Sequence, residues 1–225
     1  MAKQVKKVSK VKTKKKRWFS IFAPGFLGQK EIGESYLGEA SQAISRIMKV
    51  NLRDLTGGVR DQNIHVSLKI SGVSGNNLQT EVVGYAYMPF YVKKLGRKNN
   101  GLVDDSFVLE TKDDKKVRLK PLVITVFKIN KSVKTAIRKR MMELLNEEVS
   151  KISFDSLVCD LLRYKLQMEF KKKLNKICPV REVLMRKIKL EEGKKVKVTV
   201  VKKREVKEEE KKESTTLTFE EKKSK

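Results

Sequence analysis

The side chains able to do covalent or metal chemistry are few and scattered. His65 is the only histidine. It lies in IHVSLKIS (64–71), where Ile64, Val66, Leu68 and Ile70 alternate with polar residues, so the imidazole falls on the polar face of a strand, far from the setting of a general base. The two cysteines, Cys159 and Cys178, form no CxxC pair and no disulfide framework. With one histidine they cannot build a tetrahedral zinc site, and both read as small buried residues in a helical stretch. The chain has no G-x-S-x-G elbow, no G-x-x-x-x-G-K-[ST] loop and no G-x-G-x-x-G fingerprint. Asp104-Asp105 and Asp113-Asp114 are turn residues first. These absences argue against acyl transfer, nucleotide hydrolysis and dinucleotide chemistry, and no enzyme activity, metal or cofactor is expected.

The chemistry that remains is that of fixed cations. The formal net charge of the 225 residues is +26, from 53 Lys and Arg against 27 Asp and Glu. Such an excess opposes compaction unless a polyanion neutralises it. The charge is not confined to the ends. Residues 1–17 carry nine basic and no acidic residues, 194–225 twelve basic and seven acidic, and the body 18–193 retains +12. An anionic membrane is the less suitable partner, because no apolar run approaches the roughly 18 residues of a spanning helix. The N-terminus also lacks the apolar stretch of a signal peptide. Nucleic acid is the expected partner, in a reducing, cytoplasmic setting.

Candidate nucleic-acid contacts fall in five groups. Lys14, Lys15, Lys16 and Arg17 abut Trp18 at the start of an aromatic segment. Lys93, Lys94, Arg97 and Lys98 gather beside Tyr91. Lys134, Arg138, Lys139 and Arg140 load the first half of a helix whose second half carries Glu143, Glu147 and Glu148. That order is opposite to the one a helix dipole favours, and a helix start crowded with cations suits phosphate. Lys171 and Lys172 form a fourth group, and Arg186 with Lys187 a fifth, next to Lys189.

These groups need elements to hold them. Residues 1–17 lack a core face and read as a solvated, disordered arm. The segment 18–28, with four aromatics, Pro24 and two glycines, reads as irregular chain packed on the domain. Strands are expected at 46–52, 64–71 and 78–85, the last two joined by a turn at Ser74-Gly75-Asn76-Asn77. A second hairpin covers 106–112 and 116–128, with Pro121 marking an edge or a bend. Pro89 starts a short helix to Lys98. Helices follow at 131–152, capped by Asn130 or Ser132, and at 154 to about 177. Val180 to Leu190 is a final strand. A Lys/Glu-rich tail begins at 194, with a further short strand available at 196–201. Three regions result: an arm (1–17), an α+β body (18–193) and a tail (194–225). The stretch GYAYMPF (84–90) superficially matches an RNA-recognition-motif signature, but Val83 replaces the basic lead and Pro89 would interrupt the strand.

RWFSIFAP (17–24), QKEIGE (29–34), VNLRDLTG (50–57) with QNI (62–64), LKPLVIT (119–125), AIRKRMMELLNEEV (136–149) and ICPVREVLMRKIK (177–189) occur in order. Together they resemble the S3Ae family of archaeal and eukaryotic small-subunit ribosomal proteins, in an archaeal-like form. The resemblance spans about 17 to 190. It implies an antiparallel, β-barrel-like sheet with helices packed beside it. It also implies a structural role on the platform of the small subunit, bound to small-subunit ribosomal RNA and to neighbouring platform proteins, near the exit of the messenger RNA. Two other classes stay open on residues alone. One is a nuclease or RNA-modifying enzyme, which the lack of a carboxylate motif and a usable histidine disfavours. The other is a chromatin-type DNA binder, since a basic surface alone does not separate DNA from RNA.

Overall fold

The computed structural model describes residues 15–191. The arm before Lys15, with Lys14, and the tail from 194, with its expected strand, lie outside the described residues.

The first surprise is local. RWFSIF forms strand β1 (Arg17–Phe22) where irregular chain was expected. Phe19 and Ile21 point into the core while Arg17 and Trp18 stay exposed, so this is a half-buried strand with period two. Pro24 and the glycines act one step later, in a 3-10 turn at Gly25–Leu27 closed by Gly28 at φ 93. The chain returns as β2 (Glu31–Leu37), antiparallel to β1. Arg17, the last residue of the expected arm, is the first residue of β1.

Strand β3 (Ile47–Asn51) leads into α1 (Leu52–Thr56), whose backbone is capped by Asn51: its carboxamide oxygen accepts from Arg53 N at 3.1 Å. Strands β4 (Ile64–Ser74) and β5 (Asn77–Tyr87) form the long hairpin expected from the alternation, joined by a two-residue turn with Gly75 at φ 63. Helix α2 (Pro89–Leu95) starts on Pro89, as expected. Three strands follow, β6 (Leu102–Asp104), β7 (Phe107–Glu110) and β8 (Lys116–Thr125). Pro121 is not on an edge strand. Strand β8 pairs along one side with β9 (Val180–Leu190), and along the other first with β7 and then with β6. The proline sits at the changeover, at a register shift, with Asp105 N donating to its carbonyl. A missing N–H costs little at a bulge.

The helices come last. Helix α3 (Lys131–Val149) starts at Asn130 without a side-chain cap. The expected single helix at 154–177 is two, α4 (Phe154–Leu162) and α5 (Lys165–Leu174). The break is Tyr164, at φ 62. Its hydroxyl lies 2.9 Å from that of Tyr87, and Gln167 Nε2 donates to the Leu161 carbonyl at 2.7 Å across the corner. These tertiary contacts override a continuous apolar periodicity.

Among the described residues nine strands make one mixed sheet, in the order β2-β1-β5-β9-β8-β6, with β4 and then β3 on the far side of β5 and β7 beside β8. The expected antiparallel, barrel-like sheet with helices beside it is only partly found: among the described residues the sheet is open and mixed, with β1 running parallel to β5. One edge of β5 is divided, Asn77–Gln79 against β1 and Gly84–Ala86 against β9. That fork separates two cores. The larger joins the sheet to α3, α4 and α5 through Tyr85, Leu119, Met141, Phe154 and Phe170. The smaller lies under β1 and β2, around Phe19, Ile21 and Leu78.

Candidate nucleic-acid interface

The site nearest the arm is built by the β1–β2 ladder. Trp18 and Tyr36 are directly paired across it. Their ring centroids are 4.8 Å apart with planes tilted by 38°, and they are 58% and 50% exposed. Lys16 Nζ lies 5.7 Å from the Tyr36 ring centroid, a cation–π distance. Lys15, Lys16 and Arg17 are all exposed. Half of the aromatic segment thus packs, through Phe19, while Trp18 is displayed with cations around it. Such a tilted pair can take a base on its open face.

Lys93 and Lys94 occupy the last turn of α2, and Arg97 and Lys98 follow it, all exposed. The helix is fastened by Tyr91, whose ring stacks on Tyr87 at 5.7 Å and 16°. Burial pushes the phenols of Tyr85, Tyr87, Tyr91 and Tyr164 up, so this cluster stays neutral and structural. Half-buried Glu182 lies next to it. Burial raises its carboxyl above the ordinary range, against the pull of Arg181 and Lys171. Glu182 thus feels both Tyr91 of α2 and Lys171 of α5, and Lys172 is exposed.

The α3 group is partly spoken for. Arg138 Nε binds Asp105 Oδ1 at 2.9 Å, Arg140 binds Glu143 at 2.8 Å, and Glu148 on the acidic half meets Lys173 of α5 at 3.3 Å. Lys139 is exposed and Lys134 half-buried. These pairs give Arg138 and Arg140 of the basic half, and Glu143 and Glu148 of the acidic half, a partner of opposite sign. Arg186, the extra residue of the bulge opposite Pro121, binds Asp104 at 2.5 Å, while Lys187 is exposed. Asp104 and Asp105 are thus the clasp between β6, β9 and α3.

Among the described residues no group of three His, Cys, Asp or Glu could hold a metal ion. His65 is half-buried, with Nδ1 unpartnered. Burial pushes both thiols up, away from the reactive thiolate. Two positions escaped the reading of the sequence. Tyr36 sits in GESYLG with no local cue, since only the ladder register brings it to Trp18. Lys120 could have been found, because KVRLK (116–120) places cations at every second residue, all on one face of a strand.

The described residues define a basic α+β protein: an open mixed sheet backed by helices, with exposed cations around an exposed aromatic pair. The chain belongs to the Ribosomal S3Ae family, whose profile matches residues 3–194. It is a ribosomal protein, of a family that is structural and not enzymatic, and its place is with the ribosome in the cytoplasm. It is similar to the protein named small ribosomal subunit protein eS1 of Sulfurisphaera tokodaii, 33% identical over 181 residues, covering 80% of this chain and 94% of that one. The proteins of the same name from Saccharolobus islandicus and Saccharolobus solfataricus are 34% and 33% identical over 181 residues, covering 80% of this chain and 87% of theirs. No helix among the described residues is long and apolar enough to cross a membrane.

Proposed function

We propose that the protein is a structural constituent of the small ribosomal subunit that binds small-subunit ribosomal RNA and has no catalytic role. The observation that carries this reading is the family match over 3–194. The names of the relatives support the subunit, and the body charge of +12 beside a nine-cation arm supports RNA as the partner. The resemblance stated above further supports a platform position near the messenger exit, among other platform proteins. In this reading residues 1–17 approach RNA, with Trp18 and Tyr36 anchoring the root, 18–193 is the docked body, and the Lys/Glu-rich tail is a separate region.

The reading is tested by titrating the full chain with purified small-subunit ribosomal RNA at several salt concentrations. Each phosphate neutralised contributes roughly 0.7–0.9 to the fall of log affinity with log salt. Removing residues 1–14, which carry six lysines, flattens that slope by several units and leaves measurable binding through the body. Affinity indifferent to salt, or binding abolished by the deletion alone, contradicts it.

A further inference from the structure

The sheet has a second charged surface, on the face opposite the helices. Strand registers define two rows across it. One runs Lys49–Ser67–Gly84–Lys189–Arg118, from β3 through β4, β5 and β9 to β8. The next runs Asn51–His65–Ala86–Lys187–Lys120 over the same five strands. Directly paired residues share a face, and the intervening apolar positions Val66, Tyr85, Ile188 and Leu119 point to the core.

The rows break a rule of sheet stability. Lys187 stands directly opposite Lys120, and Lys189 opposite Arg118. Like charges so placed destabilise a sheet. Arg118 is compensated by Glu191, at 2.7 Å. Lys49, Lys120, Lys187 and Lys189 have no ion-pair partner among the described residues. Between Lys49 and Lys189, about 14 Å apart as three strand spacings, the floor is Ser67 and Gly84. No tall side chain there would hold a ligand off the lysines. Gly84 has its own structural reason, since a Cβ there would meet the Ile188 carbonyl oxygen.

We propose that this lysine-walled face, centred on Lys120, Lys187 and Lys189, binds the sugar–phosphate backbone of structured RNA, as a surface additional to the arm and the Trp18–Tyr36 pair. The proposal rests on the RNA-binding reading above. The rows carry no large apolar side chain of the kind that anchors a protein partner; the exposed Ile47 stands one row away, on the edge strand. Uncompensated cations over a small-residue floor suit a repeating anion that makes no demand for pockets.

The test compares the full chain with the variant Lys120→Gln/Lys187→Gln/Lys189→Gln, using purified small-subunit ribosomal RNA as probe. Losing three phosphate contacts lowers the slope of log affinity against log salt by roughly 2 to 3. The corresponding triple Arg variant retains the slope. In the unsubstituted protein, an amine-acylating reagent modifies the three lysines freely in the absence of RNA and slowly in its presence. This second readout does not depend on any variant folding. A steep slope in the unsubstituted chain, unaltered in the Gln variant, with the lysines equally reactive in both states, overturns the proposal and leaves the face to an acidic protein neighbour. If the unsubstituted chain itself binds RNA without salt dependence, the underlying RNA reading fails, and this proposal with it.

Discussion

At the scale of single residues, Trp18 offers an unusual handle. It is the only tryptophan, it is exposed, and it leans on Tyr36. RNA is expected to quench its fluorescence, and Trp18→Ala to lose about 1–3 kcal/mol of affinity, the contribution of one stacked base. Trp18→Phe should keep most of the affinity; equal binding by all three proteins would show the pair to be mere surface. Glu182 supplies a pH prediction of the opposite kind, concerning stability. Its folded carboxyl titrates above the ordinary value of about 4.3, so the native state holds the proton more tightly than the unfolded chain does. Its contribution is therefore fully present below that value and is lost as pH rises through the raised one. Glu182→Gln removes the loss: denaturant unfolding should show the variant gaining on the parent at pH 7 and not at pH 4. A variant less stable than the parent at pH 7 would mean that its contacts with Arg181 and Lys171 outweigh burial.

At the scale of elements, two distant polar contacts do what local sequence does not. Helix α4 has Ser153 at its N-cap with no side-chain bond to the backbone, yet Phe154 N donates to Asp113 Oδ2 at 2.9 Å from the β7–β8 turn. Asp113→Ala should cost about 1 kcal/mol, in the range of other helix-start deletions, measured by urea unfolding; no change would mean water replaces the carboxylate at no cost. Gly84 is less forgiving. A Cβ there would meet the carbonyl oxygen of Ile188 on β9, an approach of 2.1 Å. Gly84→Ala should force β5 and β9 apart and cost at least the roughly 1–3 kcal/mol typical of overpacking. What was legible follows from the same distinction. Strict alternation places the start of β4 at Ile64, because period two has one half-buried solution, although the strand runs on to Ser74, beyond the expected Ser71; β5 and β9 lie close to their expected bounds, and Pro89 starts α2 where its ring fits. The β1 strand was hidden by the nearby Pro and Gly, which act only after Phe22. The corner at Tyr164 was hidden by an apolar pattern that continues across it, and only the Tyr87 contact makes the break worthwhile.

At the scale of the molecule, charge and motif order carried the functional reading, while topology did not follow from either. An open sheet and a barrel share strands and alternation; they differ in whether the last edges meet, which here is decided by the fork on β5 between β1 and β9. The site was legible as groups of cations and only partly as geometry. Arg138, Arg140 and Arg186 prove to be held by Asp105, Glu143 and Asp104, whereas Lys120, legible on one face of KVRLK, is set opposite Lys187 by the register. Cations already paired inside the protein are expected to contribute less to RNA affinity than those left open, so Arg138→Gln/Lys139→Gln/Arg140→Gln should lower the salt slope by less than the triple change on the sheet face. A larger effect from the α3 variant, with an unchanged circular dichroism spectrum, would reverse that ranking.

The central claim is that this ribosomal protein is a working part of the small subunit. Sedimentation of a lysate from the native cell through a gradient at moderate salt tests it most directly, with the protein followed by antibody in every fraction. The account predicts that it travels with the small subunit and moves to the top after RNase treatment, with DNase having no effect. A protein that stays at the top without nuclease, or that is released by DNase and not by RNase, would contradict it.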